Sequence, residues 1–179
     1  TYTGDIVIPQ SVEYNGKTYS VTSIESDAFR KCSDLTSVEI PNSVISIGNS
    51  AFYGCSGLTS VVIPEGVTSI GSETFCNCWR LTSLVIPEGV TSIGSEAFSY
   101  CGGLIELKIP STVEYFGSNP FSSCSGHLHI NCDIPDAANF QESIFFRSNF
   151  SEVTFGDSVS SIGDYAFHYK NELLEYHHQ

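Results

Sequence analysis

The chain has 179 residues, 41% of them hydrophobic, enough for one ordinary domain with a buried core. Its formal charge of −13, from 7 basic and 20 acidic residues, argues against a nucleic-acid partner and against an anionic membrane surface. No apolar run reaches the length of a membrane-spanning helix, so no membrane insertion is expected; no basic-then-apolar leader opens the chain, and no Met occurs, which reads as a piece of a longer protein.

Residues 1–22 read as an N-terminal strand and hairpin cap. Ile6, Ile8 and Pro9 fit the strand pattern of the later segments, and SVEYNGKTYSV sets Asn15-Gly16 at a hairpin tip. The hairpin is expected to cover the open edge of the first coil.

Residues 23–126 repeat every 23 residues: VTSIGSETFCNCWRL begins at Val67 and VTSIGSEAFSYCGGL at Val90. Phe29, Phe52, Phe75, Phe98 and Phe121 form one column, rejoined by Phe167. Val21, Val44, Val67, Val90 and Val113 form a second; Ile24, Ile47, Ile70, Ile93 and Phe116 a third. Leu35, Leu58, Leu81 and Leu104 form a fourth, and Ile40, Ile63, Ile86 and Ile109, each followed by Pro, a fifth. Fixed self-similarity at this period is the mark of a solenoid. One repeat offers about six core side chains worth roughly 1.5–3 kcal/mol each, against about 1–2 kcal/mol of backbone entropy for every residue ordered. A lone repeat therefore cannot fold, and each coil must present the same side chains at the same height as its neighbour.

Within a coil, L-T-S-V-x-I ends in strand alternation, with Val38 and Ile40 inward and Ser37 and Glu39 outward. The following proline ends the ladder. Gly48, Gly71, Gly94 and Gly163 are expected at turns with positive φ. Ser72 or Ser95 is expected to cap a single helical turn over S-E-A-F or its equivalent. Corresponding strands run parallel, and seven of them at about 4.8 Å make a sheet roughly 30 Å wide.

Residues 127–149 blur the columns and read as one degenerate repeat, because Phe150 and Ile162 return to register. Residues 150–179 carry the final repeats. Leu173 and Tyr176 begin another strand, His178 falls where an inward Ile belongs, and the end reads as truncated or as a worn cap open to end-to-end association.

The unit, standing as IPEGVTSIGSETFCNCWRLTSLVIP and IPEGVTSIGSEAFSYCGGLIELKIP, resembles the BspA-like class of bacterial leucine-rich repeat. The resemblance covers nearly the whole chain. It implies a single right-handed, curved leucine-rich-repeat solenoid, mainly β, with a parallel sheet on one face and turns with short helical pieces on the other. It also implies an extracellular or cell-surface protein of a host-associated organism, adhesin-like, with fibronectin or fibrinogen as the kind of partner. The class pattern holds no catalytic or cofactor residues.

Several constellations invite chemistry. Cys32, Cys55, Cys78, Cys101 and Cys124 recur at the repeat period. Stacked side chains about 5 Å apart with parallel Cβ vectors suit buried thiols better than disulfides. Cys124, His127, His129 and Cys132 have zinc-like spacing, but Leu128 and Ile130 are expected inward, which sends the histidines to the opposite face from the cysteines. Seven cysteines leave one outside any bridge, and Cys76, expected to face outward, is the candidate reactive thiol. No hydrolase, metalloprotease, P-loop or dinucleotide motif occurs, so no enzyme and no cofactor are expected.

Two surface departures stand out as candidate partner-binding positions. Val62 and Val85, beside Lys108, form an apolar patch among outward serines. In this reading the outward columns run Ser83, Glu106, His129, Glu152 and Val85, Lys108, Asn131, Thr154. Trp79 and Arg80 stand where the neighbouring coils have mostly Ser or Gly, with Tyr53 and Tyr100 nearby. The reading is a non-enzymatic surface or secreted protein-interaction module. A carbohydrate-binding module, with Trp79, Tyr53 and Tyr100 stacking on glycans, and a passive spacer are its rivals.

Overall fold

The computed structural model describes residues 2–138, 140–167 and 176–178. Strand β1 (Gly4–Val7) is followed by a hairpin of β2 (Ser11–Tyr14) and β3 (Lys17–Ser20). Five coils then alternate a two-residue strand with a longer one: β4 (Ser23–Ile24) and β5 (Leu35–Glu39), β6 (Ser46–Ile47) and β7 (Ser60–Val62), β8 (Ser69–Ile70) and β9 (Ser83–Val85), β10 (Ser92–Ile93) and β11 (Glu106–Ile109), β12 (Tyr115–Phe116) and β13 (Ser125–Ile130). Strands β14 (Asn149–Phe155) and β15 (Tyr176–His178) follow. The longer strands form an eight-stranded parallel sheet in the order β1-β5-β7-β9-β11-β13-β14-β15, and the short ones a five-stranded parallel sheet across the core.

The repeat columns are the core. Phe52, Phe75, Phe98 and Phe121 are fully buried, and their rings stack at 5.3, 5.6 and 5.8 Å between centroids. Such offset stacks add to the area each ring removes from water. On the exposed side, Thr59 and Thr82 each donate a hydroxyl to the backbone carbonyl one coil earlier, which gives the threonine column its purpose.

The segment expected to make a helical turn does not. Among the described residues the only helical piece is a 3₁₀ turn at Phe140–Glu142. Each coil instead makes two tandem turns that use left-handed residues, at Asp27, Ser50, Glu73, Glu96 and Asn119 and again at Lys31, Gly54, Asn77, Tyr100 and Ser123. A left-handed L-residue costs about 1–2 kcal/mol. The backbone recovers this by turning alternate N–H groups toward the next coil: Glu73 N–H donates to Ser95 O at 2.8 Å, Phe75 to Ala97 O at 2.8 Å and Asn77 to Ser99 O at 2.9 Å.

Nor do the repeat glycines adopt positive φ; Gly48, Gly71 and Gly94 are glycine because the coils touch there. A Cβ at Gly48 would lie 2.5 Å from Ser26 N, and one at Gly94 2.5 Å from Ser72 N, both backbone atoms of the previous coil.

The hairpin turns at Asn15 (φ 51°) and Gly16 (φ 70°) as its sequence demands, but it joins neither parallel sheet as a strand. It forms its own two-stranded sheet, exposed at every strand residue. Strand β1 is the edge of the large sheet, and the Tyr2 ring caps the phenylalanine stack 5.1 Å from Phe29.

The degenerate coil hides a compensated slip. Leu107 pairs with Leu128, a step of 21, and Leu128 pairs with Val153, a step of 25. The coil is short by two between Cys124 and Leu128, then long by two, so the register recovers after a double step of 46. The ring column accordingly runs through Phe145, stacked 5.8 Å from Phe121 and 4.8 Å from Phe167. At the end, Tyr176 pairs with Val153 in β15; Leu173 lies outside the described residues.

Candidate functional site

The exposed face of the large sheet carries the first candidate. Alternation along β7 and β9 buries Val61 and Leu84 and turns Val62 and Val85 outward, 68% and 59% exposed. The two valines are direct partners across the strand pair. Glu39 stands exposed one coil before them, and Lys108 one coil after, its Nζ 3.3 Å from Glu106 Oε1.

The slip corrects the columns on this face. Glu106 pairs with His127 and then Glu152, and Lys108 pairs with His129 and then Thr154, so His129 does not follow Glu106 and Asn131 does not follow Lys108. These six side chains surround a hollow of about 280 Å³. His127 Nδ1 lies 2.6 Å from Glu152 Oε2, and His129 Nδ1 lies 2.6 Å from Thr154 Oγ1. Cys124 and Cys132 are buried beneath the sheet, so the four zinc-like residues lie on two sides of it. The result is an apolar centre, Val62 and Val85, bordered by a mixed-charge, hydrogen-bonding zone.

The cysteine column packs inside. Cys55, Cys78, Cys101 and Cys124 are fully buried, and each thiol donates to the carbonyl of a phenylalanine of the preceding coil, at 3.0–3.3 Å. Burial pushes the Cys55 and Cys124 thiols up to about 12, and Cys78 and Cys101 well above the ordinary value.

Cys76 corrects an expectation. It is 2% exposed, not outward, and its pKa is pushed up to about 12 by burial, with Glu96 and Glu73 adding to the shift. Its column holds Arg30, whose guanidinium lies 4.2 Å from the Tyr53 ring centroid, and Ser99, also buried. Exposure varies along this column: Arg30 is exposed, Tyr53 and Ser122 are half-buried, and Cys76 and Ser99 are buried. A buried thiol with a raised pKa is a poor nucleophile, so Cys76 is not a reactive site.

The second candidate lies where the turns run into the large sheet. Trp79 is 64% exposed and Tyr100 51% exposed, and with Asn77, Gly102 and Ser123 they line a groove of about 350 Å³. Arg80 is exposed beside Trp79, while Tyr53 is half-buried under Arg30 and takes no part in the groove. The sequence singled out both aromatic residues of the groove but not Gly102. The signal was a glycine in the column otherwise filled by Ser33, Ser56, Trp79 and Ser125.

A third feature was not foreseen. Beyond β12 a cleft of about 470 Å³ opens between Tyr115–Ser118 and Pro135–Ala137, bordered by Glu114, Asp136 and Glu142.

Against known proteins, the chain matches six copies of the BspA type leucine rich repeat region, over residues 10–127 and 58–174. It is similar to a leucine-rich repeat protein from Bacteroides ovatus, at 26% identity and a TM-score of 0.67, covering 89% of this chain and 53% of that one. It is also similar to a T. pallidum leucine-rich repeat protein, at 25% identity and a TM-score of 0.69, covering 90% and 77%. The pneumococcal vaccine antigen PcpA shares the fold at 18% identity and a TM-score of 0.56, over 92% of this chain and 57% of PcpA. The chain thus spans about half the length of the Bacteroides ovatus protein. No curated protein sequence matches it.

Proposed function

Because the chain belongs to the BspA-type leucine-rich repeat family, we propose that it is a non-enzymatic interaction module of a cell-surface or secreted protein, adhesin-like, that holds an extracellular protein against its eight-stranded sheet. The observation that carries this reading is the Val62–Val85 pair: two large apolar side chains more than half exposed, in direct register on the outer face of the sheet. Their polar border of Glu39, Glu106, Lys108 and His127 gives the surface an apolar centre and a charged rim. That is the anatomy of a protein interface, in which a few central side chains supply most of the affinity.

The partner class we propose is a matrix or plasma protein such as fibronectin or fibrinogen. Biolayer interferometry of the purified chain against fibronectin, fibrinogen, laminin and collagen tests it. Saturable binding that falls about thirtyfold or more in Val62→Glu/Val85→Glu, the loss of a hot-spot pair of about 2 kcal/mol, with melting unchanged, supports it. Absence of binding to all four, or binding unaffected by the double substitution, overturns it.

A further inference from the structure

We propose that the groove between Trp79 and Tyr100 is a binding site for a neutral pyranose sugar. The strongest observation concerns Gly102. Most glycines of this chain are held by close approach or by positive φ, Gly66 being the other exception; at Gly103, next in sequence, a Cβ would collide with the Trp79 carbonyl. Gly102 has neither constraint: its φ is not left-handed, and a Cβ there would meet only Ser123 O, at an ordinary 3.5 Å. The fold therefore permits a side chain at 102, and the same column holds Ser33, Ser56 and Ser125. Position 102, one coil on from Trp79, lines the groove, and glycine leaves that part of the wall without a side chain.

The walls of that space fit a sugar ring. Trp79 and Tyr100 are both more than half exposed. Rigid aromatic side chains of this kind offer large apolar area at low entropic cost. Their electron-rich faces suit the weakly positive C–H face of a pyranose. The lining of the groove is almost wholly apolar, as the C–H face of a ring requires; the residues that form it also carry the Tyr100 phenol, the Ser123 hydroxyl and the Asn77 amide, whose Nδ2 donates to Cys76 Sγ at 3.4 Å. The volume of about 350 Å³ sits at the lower end for small-ligand sites and takes one or two rings. A net charge of −13 favours a neutral sugar over a sulfated or carboxylated one. The site stands apart from the sheet-face reading, because none of its residues belongs to the Val62–Val85 patch.

The chain contains one tryptophan, Trp79, so its intrinsic fluorescence reports on the groove itself. The probes are the methyl pyranosides of glucose, galactose, mannose and N-acetylglucosamine, then cellobiose, lactose and chitobiose, titrated to about 10 mM, with N-acetyl-leucinamide as an apolar control. The expected result is a saturable emission change with at least one sugar, weakened about tenfold or more in Gly102→Leu and unaltered in Val62→Glu/Val85→Glu. Tyr100→Ser, which restores the side chain found at 123, gives the same weakening by removing a wall, and decides the matter if Gly102→Leu does not fold. No saturable change with any sugar overturns the proposal. So does undiminished binding by a folded Gly102→Leu or Tyr100→Ser variant, or saturation by N-acetyl-leucinamide alone, which would mark an anchor pocket for an apolar peptide.

Discussion

Two glycines eight positions apart in one coil should respond oppositely to a methyl group. In Gly94→Ala the new Cβ falls 2.5 Å from Ser72 N and 2.7 Å from Gly71 C, backbone atoms that no rotamer change can move. The coils must separate locally, which strains the Gly94 N–H bond to Ile70 O, now 2.8 Å. Overpacking of this kind costs about 1–3 kcal/mol, and a weakened buried hydrogen bond about 0.5–1.5. Against these stands about 0.4–1 kcal/mol gained by restricting the unfolded chain. The net loss is about 2–3 kcal/mol, or a fall of roughly 5–10 °C in Tm for a chain of this size. In Gly102→Ala the strain is absent, because the Cβ contacts Ser123 O at 3.5 Å, so only the unfolded-state gain of about 0.4–1 kcal/mol remains. Thermal and urea unfolding followed by circular dichroism measures both. Equal effects, or a Gly94→Ala variant as stable as the parent, would refute the claim that coil contact and not backbone φ selects the repeat glycines.

Further expectations follow from the core and its titrating groups. Phe75→Ala, which opens a gap in the middle of the ring stack, should cost about 3–5 kcal/mol by urea unfolding, and more than Phe29→Ala at the stack's end. The native chain should resist thiol reagents such as dithionitrobenzoate at neutral pH, Cys76 included, and titrate fully only in denaturant; rapid modification of Cys76 in the folded state would contradict its burial. Because Cys124 has its folded pKa raised to about 12, its contribution to stability is intact below the unfolded value of about 8.5 and is lost as pH rises toward 12, by about 1.4 kcal/mol per pH unit. Melting temperatures measured between neutral and alkaline pH should therefore fall less steeply in Cys124→Ala. Asp133 behaves in the opposite sense. Hydrogen bonds from the Ser160 and Ser161 backbone and the Ser160 hydroxyl hold its carboxyl below the usual range, so its stabilisation is present above about pH 4 and disappears as pH falls through the lowered value. Asp133→Asn should flatten the acid limb of the stability curve.

The sequence was most legible where one residue type repeats for one reason. The Phe52–Phe121 column, the inward Val38 and Ile40 and the Asn15-Gly16 turn all stand as read, because each follows from burial or backbone sterics at a single position. Features set by relations between coils were less visible. The five-stranded sheet rests on two-residue strands such as Ser69–Ile70, too short for alternation to register. The two-residue shortening before Leu128 was masked by an equal lengthening after it, so a count in fixed steps set His129 beside Glu106 and Asn131 beside Lys108, each two residues out of register. Cys76 was misjudged because exposure is not uniform along its column, where Arg30 is exposed, Tyr53 and Ser122 are half-buried and Ser99 is buried. Of the candidate site residues, Val62, Val85 and Lys108 do share one exposed column and Trp79 and Tyr100 do share one groove, while Tyr53 belongs to neither. The groove's glycine could be weighed only once the space beside Trp79 was known.

The central claim is that the outward valines of the large sheet touch the partner, and methyl NMR reads this directly. The chain, at 19.5 kDa, is labelled with ¹³C at valine methyls and titrated with each unlabelled matrix protein. The account predicts that Val62 and Val85 lose intensity first, while buried Val67 and Val90 and the hairpin's exposed Val12 hold theirs. Loss centred on Val12, or no change at Val62 and Val85 with any protein of the panel, would contradict it.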